Sequence, residues 1–550
     1  MKARERINLD GWWNYELFSG SAHLSGRINV PFPVESRKSF VEYKGRIDKL
    51  IYTREVELDD ADGQRTVIHF GAVDHDASVF VNGILAGSHS GGYTPFDIDI
   101  TDYIVNGCNL LRVEVFDDTD ASNQARGKQC VDDEPHGCFY TRVTGIWQSV
   151  WIERKSMIYI ESVKVDSFNS DGDAVFSLRL SRKPDNLTLS VSVNGEMKLC
   201  MNADARDLSF SIHVDDPVLW SVAKPALYHY EVSLSSGDIA EGRFGFRAIS
   251  WDKYGFYLNG ERTPLCLVMD QGYYPDGIYT PDSADAFRDD IIRAQKLGFN
   301  GARLHQKVFQ EEYLSIADEL GFLVFCEFPS WGLDASSPAT ENIMEREWTE
   351  TMELYYSHPS VIAYCPFNET PVNQDAGLVE RVYRLTKSFD PTRPVIDTSG
   401  FHHVVSDIFD IHDYEQDGRV LEEHYRRDYG VLGYDEYNSN YDGMTPLMLS
   451  EFGGTYYSTS LFPDELFPGQ DDAWKKWKPV KNESEFVSRV ISLIRALKNC
   501  PFIGFCYTQL YDVEQEINGL FTYDRKKKFS DESYEMIRKA IEEYKEEKGR

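Results

Sequence analysis

Two glutamates in this 550-residue sequence stand where paired-carboxyl chemistry could operate. Glu369 follows the apolar run Val361-Ile362-Ala363-Tyr364-Cys365-Pro366-Phe367 and Asn368. Glu451 ends the run Pro446-Leu447-Met448-Leu449-Ser450 and precedes Phe452-Gly453-Gly454. A carboxyl flush against the end of an apolar strand is held in place and partly stripped of water. Two of them facing one pocket suit double displacement at an anomeric carbon. One, ionised, attacks the carbon, and the other delivers a proton to the leaving oxygen. Mutual repulsion helps keep one of them protonated. The retaining form of this reaction needs the carboxyls about 5–5.5 Å apart. The competing reading is a pair of capping or ion-paired glutamates, which either residue alone would leave standing.

Such a pair needs a scaffold that brings two distant strand ends together. The chain exceeds the size of a single core, which stops growing near roughly 250–300 residues. Up to about residue 250 it reads as β. Short alternating runs such as Thr66-Val67-Ile68-His69-Phe70 and Ala77-Ser78-Val79-Phe80-Val81 are separated by turn signals such as Asn82-Gly83 and Asn106-Gly107. We place a first sandwich over 1–155 and a second, immunoglobulin-like sandwich over 156–250. From Trp251 the rhythm changes to apolar strands alternating with helical patterns. Strands are expected at 263–269, 299–304, 322–327, 361–367, 394–397, 408–412, 446–450 and 502–508. Helices are expected at 282–297, 341–357, 483–497 and 530–548. This is the signature of a (β/α)8 barrel over 251–550, whose active site lies at the C-terminal ends of its strands. No helix is expected between Thr398 and Asp407.

Composition narrows the partners. The net charge of −33 repels phosphate backbones and anionic lipid, so neither nucleic acid nor a membrane surface is expected as a partner. Aromatic residues make up 13% of the chain, which suits sugar faces as well as cores. The nine cysteines have no CxxC pair, which argues against a structural zinc site. Cys266, Cys326, Cys365 and Cys506 lie in apolar runs and read as buried thiols of a reducing compartment. The opening MKARERINLDGWW has no apolar signal core. A cytoplasmic protein is the expectation.

Several motifs occur in the order in which the family 2 glycoside hydrolases carry them. They are Asn8-Leu9-Asp10-Gly11-Trp12-Trp13, Thr144-Gly145-Ile146-Trp147-Gln148-Ser149-Val150-Trp151, Leu219-Trp220 and Phe244-Gly245-Phe246-Arg247. In the barrel they are Phe299-Asn300-Gly301-Ala302-Arg303-Leu304-His305, Asn368-Glu369 and Glu451-Phe452-Gly453. The chain therefore resembles that family of β-galactosidases, β-glucuronidases and β-mannosidases over nearly its whole length. The resemblance implies a jelly-roll sandwich, an immunoglobulin-like sandwich and a catalytic TIM barrel. It implies Glu369 as acid/base and Glu451 as nucleophile of an exo-acting, retaining β-glycosidase without a cofactor. It also implies that Asn368 binds the sugar 2-hydroxyl and that Arg303 lies beneath the nucleophile. His305 would reach the sugar ring, Tyr414 would donate to the nucleophile, and Tyr507 would wall the subsite. Each has a plainer alternative: a core histidine, a structural ion pair, or ordinary packing of the tyrosines.

Departures from the family pattern bear on the substrate. Where glucuronidases carry an Asn-x-Lys grip, this chain reads Glu516-Ile517-Asn518-Gly519-Leu520-Phe521-Thr522, so Glu516 would repel a carboxylate. The loop Cys326-Glu327-Phe328-Pro329-Ser330-Trp331-Gly332 lacks the Glu-x-His that holds Mg²⁺ in large galactosidases, so no metal is expected. Glu327 and Trp331 would shape the pocket there, with Trp331 stacking on a sugar. His305-Gln306-Lys307 replaces the family's His-Tyr-Pro and would put a cation near the rim. The sandwich loop 127–140 is the candidate to reach the site, and an ordinary solvated loop is its alternative. The expectation is a chain that stops after one barrel, without the further domains of the larger galactosidases. The expected ligand is a terminal neutral β-glycoside, with galactoside the default. A β-mannoside, β-glucoside or furanoside, a transglycosidase and a non-catalytic sugar-binding relative stay open, as does a homo-oligomer.

Overall fold

Strict alternation of apolar and polar residues builds the first half of the chain. In Asp173–Leu180 every second side chain is buried and the others face water, as one face of a sandwich requires. The computed structural model describes residues 4–59, 63–121, 123–426, 440–460 and 479–550. The N-terminal jelly-roll sandwich packs a six-stranded sheet on a four-stranded one. The turn Asn82-Gly83 joins Asp76–Val81 to Ile84–Ser90 with positive φ at both residues, the geometry that Asn and Gly tolerate in a two-residue hairpin. The second sandwich pairs a three-stranded with a four-stranded sheet around Phe176, Val191, Val232 and Phe244. It is immunoglobulin-like.

The third part is a TIM barrel. Its strands are β1 (Leu265–Asp270), β2 (Gly301–Leu304), β3 (Leu323–Glu327), β4 (Val361–Cys365), β5 (Thr398–Ser399), β6 (Phe409–Asp413), β7 (Leu447–Gly453) and β8 (Phe502–Thr508). Seven of them form one parallel sheet in the order β4-β3-β2-β1-β8-β7-β6. Apart from His412 on β6, every residue of these strands is buried, so they read as continuous apolar runs. Leu267, Phe325, Ile362, Met448 and Ile503 fill the barrel axis. Trp220 of the second sandwich and Phe256 join the same cluster, and the Trp220 indole donates to Asp318 O at 2.8 Å. The expected helix at 341–357 is divided. Pro338–Ile343 starts earlier, on a Ser337 cap, and a π turn at Met344–Trp348 separates it from Thr349–Tyr355.

The remaining strand, β5, closes the barrel differently from the rest. β5 pairs with Phe367–Asn368, the continuation of β4, over two residues. Toward β6 the seam is made largely by side chains. Asp410 accepts from Gly400 N at 3.1 Å and from the Ser399 hydroxyl. His403 bridges Asp397 (2.7 Å) and the Asp410 carbonyl (2.9 Å) from the loop after β5. Burial opposes a charge on His403, yet the Asp397 and Asp410 carboxylates outweigh it and push the imidazole up to about 10. A group with a raised folded-state pKa stabilises fully below its unfolded value. That contribution is lost as pH rises through the folded value. Wild-type thermal stability is therefore expected to fall between about pH 7 and 10 by an amount that His403→Leu removes, with a lower Tm for the variant at pH 6.5. Melting curves across that range check it.

Candidate active site

The core of the site is one buried cation. Arg303, at the C-terminal end of β2, is 1% exposed. Its Nη1 donates to Glu451 Oε1 at 2.8 Å and to Ser450 O at 3.2 Å. Its Nη2 donates to Asn368 Oδ1 at 2.7 Å, and its Nε to Glu327 Oε2 at 2.7 Å. The guanidinium thus ties the ends of β2, β3, β4 and β7 together. Burial alone would raise the Glu451 carboxyl, but His412, Arg303, His305 and Lys128 outweigh it and hold it well below the usual carboxylate range. Tyr414, just past β6, donates its hydroxyl to the other oxygen of Glu451.

Glu369 stands opposite. Its backbone is left-handed at φ 49°, a cost of roughly 1–3 kcal/mol that a non-glycine residue bears only where the surroundings impose it. Its amide donates to Ser399 O at 2.9 Å, which fixes that turn. Its side chain is 23% exposed, against 6% for Glu451, so it faces the opening. Oxygens of both carboxyls and a ring nitrogen of His412 lie within 4.8 Å of one another. Because Arg303 engages the Asn368 carbonyl, the Asn368 amide is directed away from it, and that buried NH2 has no hydrogen-bond partner among the described residues. It is a ready donor for a ligand hydroxyl.

Other expected residues distribute unevenly. His305 is buried with Nδ1 3.0 Å from Glu327 Oε1 and its ring edge-on to Trp331. Trp331 is half-buried and donates to Asn368 O at 3.2 Å. Glu516 lies in the wall with both oxygens engaged, by Asn518 Nδ2 at 2.9 Å and by the Tyr140 hydroxyl. Gln271 and Gln509 extend this chain to the ends of β1 and β8. Tyr507 does not wall the pocket. It is fully buried behind β8, edge-on to Phe452 at 5.6 Å, with Arg489 as the charge acting on its hydroxyl. Its neighbour Thr508 faces the site, 3.3 Å from the Tyr414 hydroxyl. Lys307 is not at the rim either. Its ammonium is buried, donates to Gly272 O (2.6 Å) and Tyr279 O (3.0 Å), and sits against Tyr279, Phe309 and Trp147. Burial pushes it well below the ordinary lysine range.

Four site residues escaped the sequence reading. His412 lies between the two glutamates, 2.8 Å from Glu369 and 3.4 Å from Glu451. Asp410 and Ser399 support it. The only signal was a polar pair, His412-Asp413, breaking an apolar strand. Lys128 comes from the sandwich loop. It is buried with its ammonium 4.4 Å from the Trp331 ring centre; burial opposes its charge, but Cys138 and the Glu516, Glu451 and Glu369 carboxyls outweigh burial and raise it above the ordinary lysine value. That loop is docked on the barrel: Gly127 N donates to Trp331 O at 3.1 Å, and Gln515 donates to Gly137 O and Phe139 O at 2.9 Å. On it, Cys130, Asp132 and His136 place three donor atoms within 4.8 Å of one another and could offer ligands to a metal.

Comparison with known proteins follows these three parts. Family models described as glycosyl hydrolases family 2, sugar binding domain; glycosyl hydrolases family 2; and glycosyl hydrolases family 2, TIM barrel domain match residues 6–156, 158–247 and 283–460. A β-galactosidase of Thermoanaerobacterium thermosulfurigenes is 28% identical over 422 residues, covering 72% of this chain and 56% of that protein. A β-glucuronidase of Streptococcus agalactiae is 25% identical over 447 residues, covering 72% of each. The chain spans little more than half the length of the β-galactosidases it matches first. Among solved structures, a family 2 β-galacturonidase from Eisenbergiella tayi bound to galacturonate superposes with a TM-score of 0.79 at 20% identity, covering 98% of both chains. A Bifidobacterium dentium β-glucuronidase complexed with coumarin-3-O-glucuronide gives 0.80 at 18% identity, covering 98% of this chain and 97% of that one.

Gly127 is a test of the docked loop. Its φ is +59°, and a Cβ there would stand 2.1 Å from Gln306 O. Gly127→Ala is expected to undock 127–140 and speed amide hydrogen exchange at Cys130 and Tyr140 by at least about tenfold, leaving the barrel helices unchanged.

Proposed function

Because the chain belongs to family 2 of the glycosyl hydrolases, we propose that it is an exo-acting, retaining β-glycosidase with Glu451 as nucleophile and Glu369 as acid/base. One observation carries this reading: the two carboxyls approach within 4.8 Å. Inverting enzymes hold theirs about 6.5–9.5 Å apart to admit a water, so this spacing supports direct attack by one of them. The assignment of roles follows from their surroundings. Glu451 touches Arg303 and Tyr414 and is kept ionised. Glu369 pairs instead with His412 and faces the opening, where a leaving group departs. The unpartnered Asn368 amide would meet the 2-hydroxyl, a contact that strengthens in the transition state.

The substrate class follows from charge. With a proton on Glu369, the acids Glu327, Glu451 and Glu516 exceed the bases Arg303 and Lys128 by one. His305 adds nothing, since burial lowers its affinity for a proton. A slightly negative pocket suits the positive charge that develops on the sugar ring. A uronate would bring a second unbalanced charge into a low-dielectric site. A terminal neutral β-glycoside is therefore the proposed substrate, with β-galactoside the default. A second reading rests on Lys128, whose ammonium has no carboxylate within 4.0 Å among the described residues and is the group a uronate would seek.

A panel of nitrophenyl β-glycosides, neutral sugars and uronides together, separates these readings. Turnover of a neutral β-glycoside with the anomeric configuration retained by NMR is expected. Turnover of uronides alone would favour the second reading, and inversion would remove the double displacement. Glu451→Gln is expected to lose roughly four orders of magnitude in kcat or more while still binding the sugar, measured by calorimetry.

A further inference from the structure

His412 is the one ring placed between the two carboxyls, and its proton count can be worked out from its neighbours. Its Nδ1 lies 2.8 Å from Glu369 Oε1. Its Nε2 lies 3.0 Å from Ser399 Oγ and 3.4 Å from Glu451 Oε1. The ring is held flat against Gly400, where a Cβ would fall 2.2–2.3 Å from three ring atoms. Asp410 supplies the deciding constraint. Burial raises its carboxyl, but His403, His412 and Arg303 outweigh burial and bring it to about 2, so it is ionised and only accepts. The Ser399 hydroxyl has one proton, and it goes to Asp410. Ser399 Oγ is therefore an acceptor toward the histidine, and Nε2 must carry a proton. That leaves a single proton for the short Nδ1···Oε1 contact, on either atom.

We propose that Glu369 and His412 form one acid/base unit sharing a single proton, with His412 as the positioning residue whose bare Nδ1 receives the Glu369 proton and whose Nε2–H is fixed by Ser399 and Asp410. This rests on the reading of Glu369 as acid/base. In the first step a Glu451 oxygen bonds to the anomeric carbon and the glycosidic C–O bond breaks, its electron pair going to the leaving oxygen. That oxygen takes the shared proton, leaving a Glu369 carboxylate beside neutral His412. In the second step water bonds to the anomeric carbon and gives a proton to Glu369. The bond to Glu451 breaks with its electron pair returning to the carboxylate, and the shared proton is restored.

The groups facing His412 set the direction of its titration. Glu369 comes from the end of β4, Ser399 from β5, Asp410 from its own strand, Glu451 from β7 and Arg303 from β2. Burial and Arg303 disfavour its charge, while Glu451 and Glu369 outweigh them and raise the imidazole above its ordinary value. The unit thus keeps its proton until pH rises past that raised value, and the alkaline limb of kcat/KM reports the loss.

The test compares wild type with His412→Gln and, in case that variant misfolds, Ser399→Ala, which keeps the imidazole but frees its tautomer. Substrates are a phenyl and a dinitrophenyl glycoside of the sugar that wild type hydrolyses. The dinitrophenolate needs no proton to leave. Expected is an alkaline limb moved to lower pH by about one unit or more in His412→Gln, and in the same direction but less in Ser399→Ala. At pH 8 the loss in kcat/KM on the phenyl glycoside is expected to be about 100-fold, at least tenfold greater than on the dinitrophenyl glycoside. An unmoved limb in both variants, or equal losses on both substrates, would overturn the shared proton and leave His412 a packing residue. Absence of any wild-type turnover would instead sink the glycosidase reading.

Discussion

The burial of one guanidinium organises the site. An isolated charge cannot be taken out of water without a cost of several kcal/mol, so Arg303 is tolerable only if its donors are matched. Glu327, Glu451, Asn368 and the Ser450 carbonyl match them. The partners come from three other barrel strands or strand ends, so satisfying one cation fixes the relative heights of β2, β3, β4 and β7. The same contacts orient the Asn368 amide and keep Glu451 charged. Pairing, not stabilisation for its own sake, is what the interaction provides. A buried triad of this kind is rarely better for folding than apolar packing.

The remaining parts depend on that frame. Glu369 and Gln306 both adopt left-handed backbone, at φ 49° and 52°, directly after β4 and β2. Such residues persist where surrounding contacts over-determine them. Gln306 donates backbone and side-chain protons to Glu327 at 3.2 and 2.6 Å, and Glu369 is fixed through Ser399. The sandwich loop then docks on Pro329 and Trp331 and brings Lys128 over the site. The geometry of the candidate site is a property of two domains, since neither the barrel nor the loop alone holds both the carboxyls and the lysine.

Much of this was legible in the sequence, for physical reasons. Strand ends in a parallel barrel announce themselves where a buried apolar run meets a charged residue, as at Ser450-Glu451. Alternation and Asn-Gly turns gave the sandwiches. Three features were not legible. Tyr507 and Thr508 differ only in which side of β8 they face, and a strand buried on both sides has no polar alternation to set that parity. Lys307 reads as a surface cation because nothing local shows that the Gly272 and Tyr279 carbonyls will receive its protons. His412 draws no notice in the sequence because its partners, Glu369, Ser399 and Glu451, arrive from three other strands.

The two carboxyls are chemically identical, and the fold must make them different. Arg303 touches Glu451 and not Glu369, and Tyr414 adds a second donor on the same side. Against that strong stabilisation of charge, the Glu369 side chain meets an imidazole among the described residues. An imidazole is the side chain whose charge ordinarily changes near neutral pH, so it would accommodate both states that the proposed general acid and base must pass through. Placing a permanent cation beside one glutamate and a reversible one beside the other separates their roles without moving either. An oxygen of each carboxyl lies within 4.8 Å of the other, close enough to couple the two sites. Arg303 and Tyr414 stand on the Glu451 side and His412 closest to Glu369, so the asymmetry begun by one arginine is completed by the imidazole.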